Sequence, residues 1–433
     1  MSLTTEAPVH RTADLPALLD RAGAGATLVL PLFLLHGRSL AEAALGVAAV
    51  CFLLRSALLG RWDWLRRGWV PLGLAWWGWL VVCSTPVPAL DLGRGGWNSF
   101  LQAVAMGRFV IFAAALEFDV LRCARRRLWL WRVVAACAAY IAIQALVQFA
   151  IGTNLYGHPR NGDGELTGPF AKPRAGPPFA RILLPAILPP VAALLERGRA
   201  AASAGAAALL LGGVAVVVLI GQRMPLAITL LGIAVAALLL RRLRPIAVIG
   251  VLAAAALVAA APVISPRTSH RLVDEFSHQI ERFSTTQYAH IYVRALAIAE
   301  AHPLTGGGFD GFRNECRDPR YFAPSPDGLA DGGGAEICTT HAHNFYMQAV
   351  SDAGFPGLLL FAALAIAWLR EAARGLWRDP RPLRVGLFAA MVMQLWPIAS
   401  TNSFAVVPMS GWFFLLLGWA LAESRAARAA DPA

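Results

Sequence analysis

Long apolar runs separated by short arginine-rich loops restrict the fold of this chain more than any other feature. A helix needs roughly 20 predominantly apolar residues to cross a bilayer, and the runs approach or reach that length. The composition agrees, because 57% of the residues are hydrophobic and the mean hydropathy is +0.56. A soluble fold is excluded, and the sequence predicts an all-α polytopic membrane protein with about twelve transmembrane helices. The predicted spans are 22–36, 39–54, 69–84, 97–118, 130–151, 179–195, 200–220, 223–240, 245–264, 343–369, 384–400 and 403–422.

The formal net charge of +12 would suggest a nucleic-acid partner if the protein were soluble. Here the arginines crowd alternate loops, which is the positive-inside bias that orients membrane helices. The pattern predicts a cytoplasmic N-terminus and arginine-rich loops that lie near anionic membrane lipids, with no nucleic acid bound.

The same topology divides the chain into three parts. They are an N-terminal transmembrane bundle of about nine spans (1–265), a large outward loop domain (266–341) and a C-terminal bundle of about three spans (342–433). Within the loop domain, apolar residues at helical spacing predict an amphipathic helix at Arg267–Phe283 and a second helix from Thr286 to Ala301. From Phe309 to Thr340 the loop is rich in Gly, Pro and Asp, which is typical of a lid-like segment.

Polar residues stand at the mouth of the predicted span that follows this loop. His343, Asn344 and Gln348 occupy its first turns, where both solvent and a lipid-borne substrate can reach them. Asn344 and Gln348 are four residues apart and share one helix face, which must meet protein or a water-filled cavity because lipid exposure is costly. Substrate binding is one interpretation of this face. Helix capping with interhelical hydrogen bonds is the other.

Metal and cysteine patterns are sparse. His341 and His343 are two residues apart, but no third ligand has a suitable spacing, so no metal site is predicted. Cys316 and Cys338 both fall in the outward loop and flank the segment rich in Gly, Pro and Asp. A disulfide between them is predicted to stabilise that segment by roughly 3 kcal/mol, and two free thiols are the alternative.

Arginines in unusual outward positions indicate an anion site. Arg223 lies in a tight turn between two very apolar spans, where positive-inside statistics disfavour it. Its guanidinium fork matches phosphate oxygens, although it can also reach lipid phosphate by snorkelling. Arg294, on the second loop helix, can join such a clamp or pair with an acidic loop residue. Arg174 and Arg181 flank the start of another span on the same side.

These motifs together resemble the O-antigen ligase / O-antigen polymerase superfamily. The resemblance rests on Arg223 in an outward turn, Arg294 on a helix followed by His302-Pro303-Leu304-Thr305-Gly306-Gly307-Gly308-Phe309, His343-Asn344 opening a span, and Asp352-Ala353-Gly354-Phe355-Pro356-Gly357. It implies a glycosyltransferase C-like membrane fold and glycan transfer from an undecaprenyl-pyrophosphate carrier at the periplasmic face, without metal or another cofactor.

Residue roles follow from the same resemblance. It implies that His343 is the catalytic histidine and that Arg223 and Arg294 hold the pyrophosphate. His341, Arg174 and Arg181 are further substrate-binding candidates, as are Asn344 and Gln348. The glycine-rich stretch 328–334 has no counterpart in the family pattern.

Three functions are compatible with these sequence features. The first is a ligase that moves O-antigen to lipid A–core oligosaccharide in the bacterial inner membrane, with histidine as base, arginines in place of a metal and inversion at the anomeric carbon. The second is a polymerase or a protein oligosaccharyltransferase of the same superfamily. The third is a transporter of an anionic lipid, which would place ionisable groups near mid-membrane. The candidate residues gather at one membrane face, and this favours an enzyme.

Overall fold

The computed structural model describes residues 14–264, 283–324, 328–405 and 407–430. Within these ranges the secondary structure is helical and contains no β-strand, apart from an isolated bridge between Thr153 and Pro159. The all-α prediction is therefore confirmed. The amphipathic helix predicted at Arg267–Phe283 lies outside the described residues except for Phe283.

The α-helices of the described ranges are numbered in chain order. The first nine are α1 (Asp14–His36), α2 (Arg38–Leu58), α3 (Val70–Ser84), α4 (Gly96–Phe118), α5 (Ala124–Ile151), α6 (Gly176–Glu196), α7 (Ala200–Ile220), α8 (Arg223–Leu239) and α9 (Arg244–Ile264). Two belong to the loop domain, α10 (Gln287–Ala301) and α11 (Gly311–Glu315). The last three are α12 (Phe345–Ala373), α13 (Pro382–Leu395) and α14 (Val407–Ala430).

Eight helices of the described ranges are long and apolar enough to cross a membrane. They are α1, α2, α4, α5, α6, α7, α9 and α12. Helices α3, α8 and α13 are apolar but shorter, and every predicted span overlaps one of the helices α1–α9 or α12–α14. The polytopic membrane class is thus confirmed. The spans predicted at 384–400 and 403–422 are displaced, because α13 ends at Leu395, just before Trp396-Pro397, and α14 begins at Val407.

Consecutive membrane helices reverse direction, so the loops alternate between two ends of one bundle. Helices on both sides of the loop domain share this bundle, since α14 packs against α4 and α13 against α6. One end, called the arginine end, consists of the loops 59–69, 119–123, 197–199, 240–243 and 374–381. Ion pairs join its elements, including Arg127 with Glu423 at 3.0 Å and Arg428 with Glu371 at 3.2 Å. The opposite end, called the site end, carries the described part of the loop domain and the loop 396–405.

Helix α12 is broken at Ala353 and Gly354, where the backbone leaves the helical conformation. Gly354 has φ +64°, and a Cβ there would lie 2.5 Å from the carbonyl oxygen of Pro303, so only glycine fits. The break frees backbone groups that would be costly in a membrane. Trp79 donates to the Ala353 carbonyl at 3.0 Å, and the Phe355 N–H donates to the Pro303 carbonyl at 2.9 Å.

The turn after α10 docks onto this break and onto two neighbouring helices. The Gly307 N–H donates to the carbonyl of Ser351 at 2.8 Å, and the Phe309 N–H donates to the hydroxyl of Ser84 in α3 at 2.8 Å. The hydroxyl of Ser99 in α4 donates to the Phe309 carbonyl. The glycine-rich turn thereby fixes the loop domain to the site end of the bundle.

Candidate active site

His341 and His343 lie side by side in the segment that leads into α12. Their ring centroids are 4.2 Å apart with 49° between the ring planes. His343 has φ +54°, a left-handed conformation that is uncommon outside glycine and is often found at functional sites. Tyr288 of α10 approaches the His343 ring edge to face, with 5.5 Å between centroids. The loop domain therefore supplies one wall of the histidine site.

Asn344 anchors the start of α12 through both ends of its side-chain amide. Its Oδ1 accepts from the N–H groups of Tyr346 at 2.8 Å and Met347 at 3.2 Å, which is an N-cap. Its Nδ2 donates to the carbonyls of Pro397 at 2.7 Å and Ala399 at 3.2 Å. Asn344 therefore ties the histidine segment to the loop 396–405.

Gln348, in the second turn of α12, is hydrogen-bonded to the same segment. Its Oε1 accepts from the Ala342 N–H at 2.9 Å, and its Nε2 donates to Asp352 at 2.8 Å. On the other side, the Thr401 N–H donates to the His343 carbonyl at 2.8 Å. The backbone of the histidine segment is thus held before His343 by Gln348 and at the His343 carbonyl by the distant Thr401.

These contacts use the side chains of Asn344 and Gln348 within the protein itself. Both side chains are buried, and their amide oxygens and nitrogens are hydrogen-bonded to protein atoms. Asn344 caps α12, Gln348 bonds within its own segment of the chain, and substrate binding by either residue stays a prediction. Sequence reasoning did not identify Thr401 or the contact of Tyr288 with His343, because neither position carries a local signal.

Burial sets the protonation of the two histidines. Burial lowers the pKa of His343 below its ordinary value. Burial, and then repulsion by the His343 ring, lowers the pKa of His341 to about 3. The Nδ1 of His341 is 2.9 Å from the Thr340 hydroxyl, whereas its Nε2 is buried without a hydrogen-bond partner among the described residues. Both rings are consequently neutral near pH 7, as a general base must be.

Arg294 is almost fully buried, with 1% of its surface exposed. Its Nη1 donates to the carbonyl of Cys316 at 2.5 Å, and its Nη2 donates to the carbonyls of Asp331 and Gly334, each at 3.1 Å. Its guanidinium also lies 4.2 Å from the centre of the Phe322 ring. Arg294 thus joins α10 to the end of α11 and to the glycine-rich stretch 328–334. The expected acidic partner is replaced by backbone carbonyls.

Cys316 and Cys338 are joined by a disulfide, with 5.8 Å between their Cα atoms. The bridge lies beside Arg294, whose Nη1 is 4.0 Å from the Cys338 sulfur. A small apolar core surrounds it, formed by residues of α10, α11 and the histidine segment. Its members include Ile291, Ala295, Ile298, Phe312, Tyr321 and Ala342. The described part of the loop domain therefore has its own small core, which packs around α10.

Arg181 is a buried cation at the site end with few hydrogen bonds to protein. It is buried inside α6, and its Nη1 donates to the Met409 sulfur at 2.6 Å. Within the described residues this thioether is its sole hydrogen-bond partner, and its Nε has none. A thioether is a weak acceptor, so the guanidinium keeps most of its capacity to bind an anion.

Arg223 and Arg174 lie close to the start of α6. Arg223 is half-buried at the first position of α8. The neighbouring Gln222 donates to the Pro173 carbonyl at 2.8 Å, which joins the turn of Arg223 to the segment that precedes α6. Arg174 is exposed in that segment. The structure therefore gathers the segments of Arg174, Arg181 and Arg223 at the site end, while Arg294 belongs to the loop domain.

The buried side of the histidine segment has little free space. A cavity of about 20 Å³ lies there, lined by Gln348, Asp352, Phe345 and Phe404 among others. This volume corresponds to about one water molecule and excludes a sugar ring. In the part of the chain that the structure describes, no three His, Cys, Asp or Glu side chains gather so as to hold a metal ion.

Fold and site together define a polytopic membrane protein with a buried histidine pair at the entrance of a broken helix. The family model for O-antigen ligase matches residues 206–362, a range that contains Arg223, Arg294 and His343 but is less than half of the chain. The match confirms the resemblance and supports membership of the O-antigen ligase superfamily. Arg174 and Arg181 precede the matched range. No curated protein matches the chain.

Proposed function

We propose that the protein is a glycosyltransferase that moves O-antigen polysaccharide from undecaprenyl pyrophosphate to the lipid A–core oligosaccharide. The observation that carries the proposal is the neutral His341–His343 pair at the entrance of α12, within the range matched by the O-antigen ligase family. The site end faces the periplasm of a bacterial inner membrane in this proposal, because arginine-rich loops favour the cytoplasm.

His343 acts as the general base. A ring nitrogen takes the proton from the attacking acceptor hydroxyl, and the hydroxyl oxygen bonds to the anomeric carbon of the donor glycan. The bond from that carbon to the pyrophosphate oxygen breaks, and undecaprenyl pyrophosphate leaves with the electron pair. One displacement inverts the anomeric centre. General base catalysis of this kind contributes roughly 10²–10⁴-fold, and a lowered pKa keeps the base unprotonated.

Arginines stabilise the charge that develops on the leaving pyrophosphate. Arg223 and Arg181 are assigned to the membrane side of this clamp, with Arg174 at its exposed edge. The support for Arg181 is its burial beside a weak thioether acceptor. Fixed guanidinium groups stabilise such charge well because they need no reorganisation during the reaction.

Arg294 is assigned to donor binding through the loop domain. Two of its acceptors are the carbonyls of Asp331 and Gly334 in the glycine-rich stretch 328–334. In the proposal, pyrophosphate oxygens replace these carbonyls when the donor binds, and the stretch moves with them. Charge-assisted bonds to phosphate are stronger than bonds to neutral carbonyls, so the exchange is favourable.

The lipopolysaccharide of a deletion strain tests the function. We expect loss of all O-antigen on lipid A–core, restored by the wild-type gene but not by a His343→Ala gene that yields the same amount of membrane-inserted protein. A strain that keeps a single-repeat band would identify a polymerase instead. Unchanged lipopolysaccharide would rule out both activities and favour a protein acceptor, which glycoprotein staining would reveal.

A further inference from the structure

A second cavity, of about 370 Å³, lies at the arginine end of the bundle. The end of α2, the loop 59–69, the end of α4 and α14 enclose it. Five arginines and two aspartates line it. The arginines are Arg55, Arg61, Arg67, Arg122 and Arg425. Guanidinium groups concentrated around an open volume form an anion-binding site, unless acidic side chains neutralise their charge.

Among the described residues, only one of these five arginines forms ion pairs with acidic side chains. Arg55 forms ion pairs with Asp119 and, at 3.2 Å, with Asp20. Arg425 rests over the ring of Phe118, with 4.7 Å from the guanidinium carbon to the ring centre.

The three remaining arginines have no hydrogen-bond acceptor among the described residues. The guanidinium groups of Arg61, Arg67 and Arg122 make no hydrogen bond or ion pair with the described residues, although Asp63 lines the same cavity. Glu117 attracts the guanidinium of Arg425, whereas Arg67 and Arg122 repel it. Three converging cations without an acceptor leave the cavity strongly positive.

The walls and the rim of the cavity are apolar. Phe52, Trp64 and Phe118 form its wall beside the arginines. Outside the rim, α2 exposes an apolar stripe at helical spacing, which consists of Val47, Val50, Leu54 and Leu58. The stripe leads to Leu59, which is exposed at the cavity itself. A cationic pocket continuous with a lipid-facing apolar groove matches a molecule with a phosphate head and acyl chains.

We propose that this cavity binds the phosphate headgroup of an anionic membrane lipid, with the acyl chains along the outer face of α2. The site is separate from the histidine site. Helix α4 begins beside Phe309 of the loop domain and ends at the cavity, and its 23 residues span about 35 Å. The proposal does not depend on the proposed transferase activity.

Native mass spectrometry of the full-length protein in detergent tests the site. Phosphatidylglycerol is the probe, phosphatidylcholine is the zwitterionic comparison, and inorganic phosphate is added alone in a third arm. We expect phosphatidylglycerol to bind at least about tenfold more tightly than phosphatidylcholine, since each basic residue near a membrane surface contributes about 1 kcal/mol. The variant Arg61→Ala/Arg67→Ala/Arg122→Ala should lose this preference.

A matched variant separates the cavity from bulk charge. Arg197→Ala/Arg199→Ala/Arg241→Ala removes the same charge from the arginine end but touches no cavity residue, so it should retain the preference. Equal loss in both triple variants, or equal binding of the two lipids by the wild type, would overturn the proposal. If inorganic phosphate binds tightly and competes with phosphatidylglycerol, the ligand of the cavity is a soluble anion and the lipid proposal is wrong. The single variant Arg122→Glu gives the same test if the cavity triple variant does not fold.

Discussion

Gln348 donates a hydrogen bond of 2.8 Å to the carboxylate of Asp352, one turn further along α12 and directly before the break in that helix. The same carboxylate accepts from the Gly311 N–H of the loop domain at 2.8 Å. The Oε1 of Gln348 accepts a hydrogen bond from the Ala342 N–H, next to His343. The docking of the loop domain, the break in α12 and the position of the histidine are therefore connected by one buried polar chain.

The two histidines should differ in importance. His343→Ala removes the proposed base, so we expect a fall of roughly 10²–10⁴-fold in kcat with little change in thermal stability. His341→Ala should retain more activity, because His341 packs beside the base without being assigned the proton transfer. Single-turnover glycan transfer by the purified proteins measures both effects. Near-normal transfer by His343→Ala would refute the assignment.

Gln348 should act as a positioning residue. Gln348→Leu leaves the Ala342 N–H and one acceptor site of Asp352 unsatisfied, which costs about 1–3 kcal/mol. If His343 is displaced as a result, kcat should fall by about tenfold or more while the KM for donor changes little. Steady-state kinetics provides this comparison.

Gln394→Leu is the matched control for Gln348→Leu. Gln394 is also a buried amide of a membrane helix, and it donates within α13 to the carbonyl of Ala390 at 3.0 Å. It should lower stability without changing kcat. A Gln348→Leu protein with normal kcat would show that the buried chain serves stability alone.

The helices could be predicted from the sequence because long apolar runs identify membrane helices without knowledge of their neighbours. The break inside α12 could not. The run continues through Ala353 and Gly354 towards Leu369, and its interruption depends on Trp79 and Pro303, which satisfy the freed backbone groups from distant parts of the chain. A local pattern contains no information about such partners.

The sequence predicted which polar side chains avoid lipid but not the groups that they contact. The position of Asn344 and Gln348 on a polar face that avoids lipid followed from their spacing, and both are indeed buried. Their partners include backbone groups at Ala342, Pro397 and Ala399, whose positions are set by the tertiary path of the loops. The carbonyl partners of Arg294 are equally invisible in the sequence.

Arg181 and Arg294 should respond differently to replacement by lysine. Arg294→Lys loses charge-assisted bonds to buried carbonyls, each worth roughly 1.5–3 kcal/mol, so its Tm should fall together with its activity. Arg181→Lys has little protein bonding to lose, and it should raise the KM for donor with a nearly unchanged Tm. Thermal unfolding and donor-saturation kinetics measure the two properties.

Arg384→Lys is the control for a buried arginine far from the site. Arg384 lies at the arginine end and donates to the carbonyls of Arg374 at 2.7 Å and Asp379 at 3.3 Å. Its replacement should lower Tm without affecting the KM for donor. An unchanged KM in both Arg181→Lys and Arg223→Lys would remove these residues from the clamp.

The dependence of transfer on pH should follow the lowered pKa of His343. A base is active when unprotonated, and burial shifts its pKa below the ordinary value of about 6.5. The midpoint of the acid limb should consequently lie below pH 6.5. Tyr288→Ala exposes the His343 ring to solvent, which should return the acid limb of kcat/KM towards pH 6.5. An acid limb of the wild-type protein above pH 7 would contradict a buried neutral base.

The disulfide should stabilise the loop domain and, through it, the histidine segment. Cys338 precedes His341 closely in sequence, and the bridge fixes it to α11 beside the buried guanidinium of Arg294. Cys316→Ser/Cys338→Ser, or reduction by dithiothreitol, should cost roughly 3 kcal/mol of stability in the chain-entropy model. Activity should fall by a smaller factor than in His343→Ala, because the base is retained but less firmly held.

Peptide mass spectrometry without reductant measures the bridge directly. A linked pair of peptides containing Cys316 and Cys338 is expected from protein purified without a reducing agent. The buried Cys83 and Cys137 serve as internal controls, because they are free thiols of the bundle and should be alkylated only after unfolding. Rapid alkylation of Cys316 and Cys338 in the folded, unreduced protein would show that the bridge is absent. Loss of the linked peptide on dithiothreitol treatment, together with a lower Tm and a partial loss of transfer, would connect the bridge to the geometry of the histidine site.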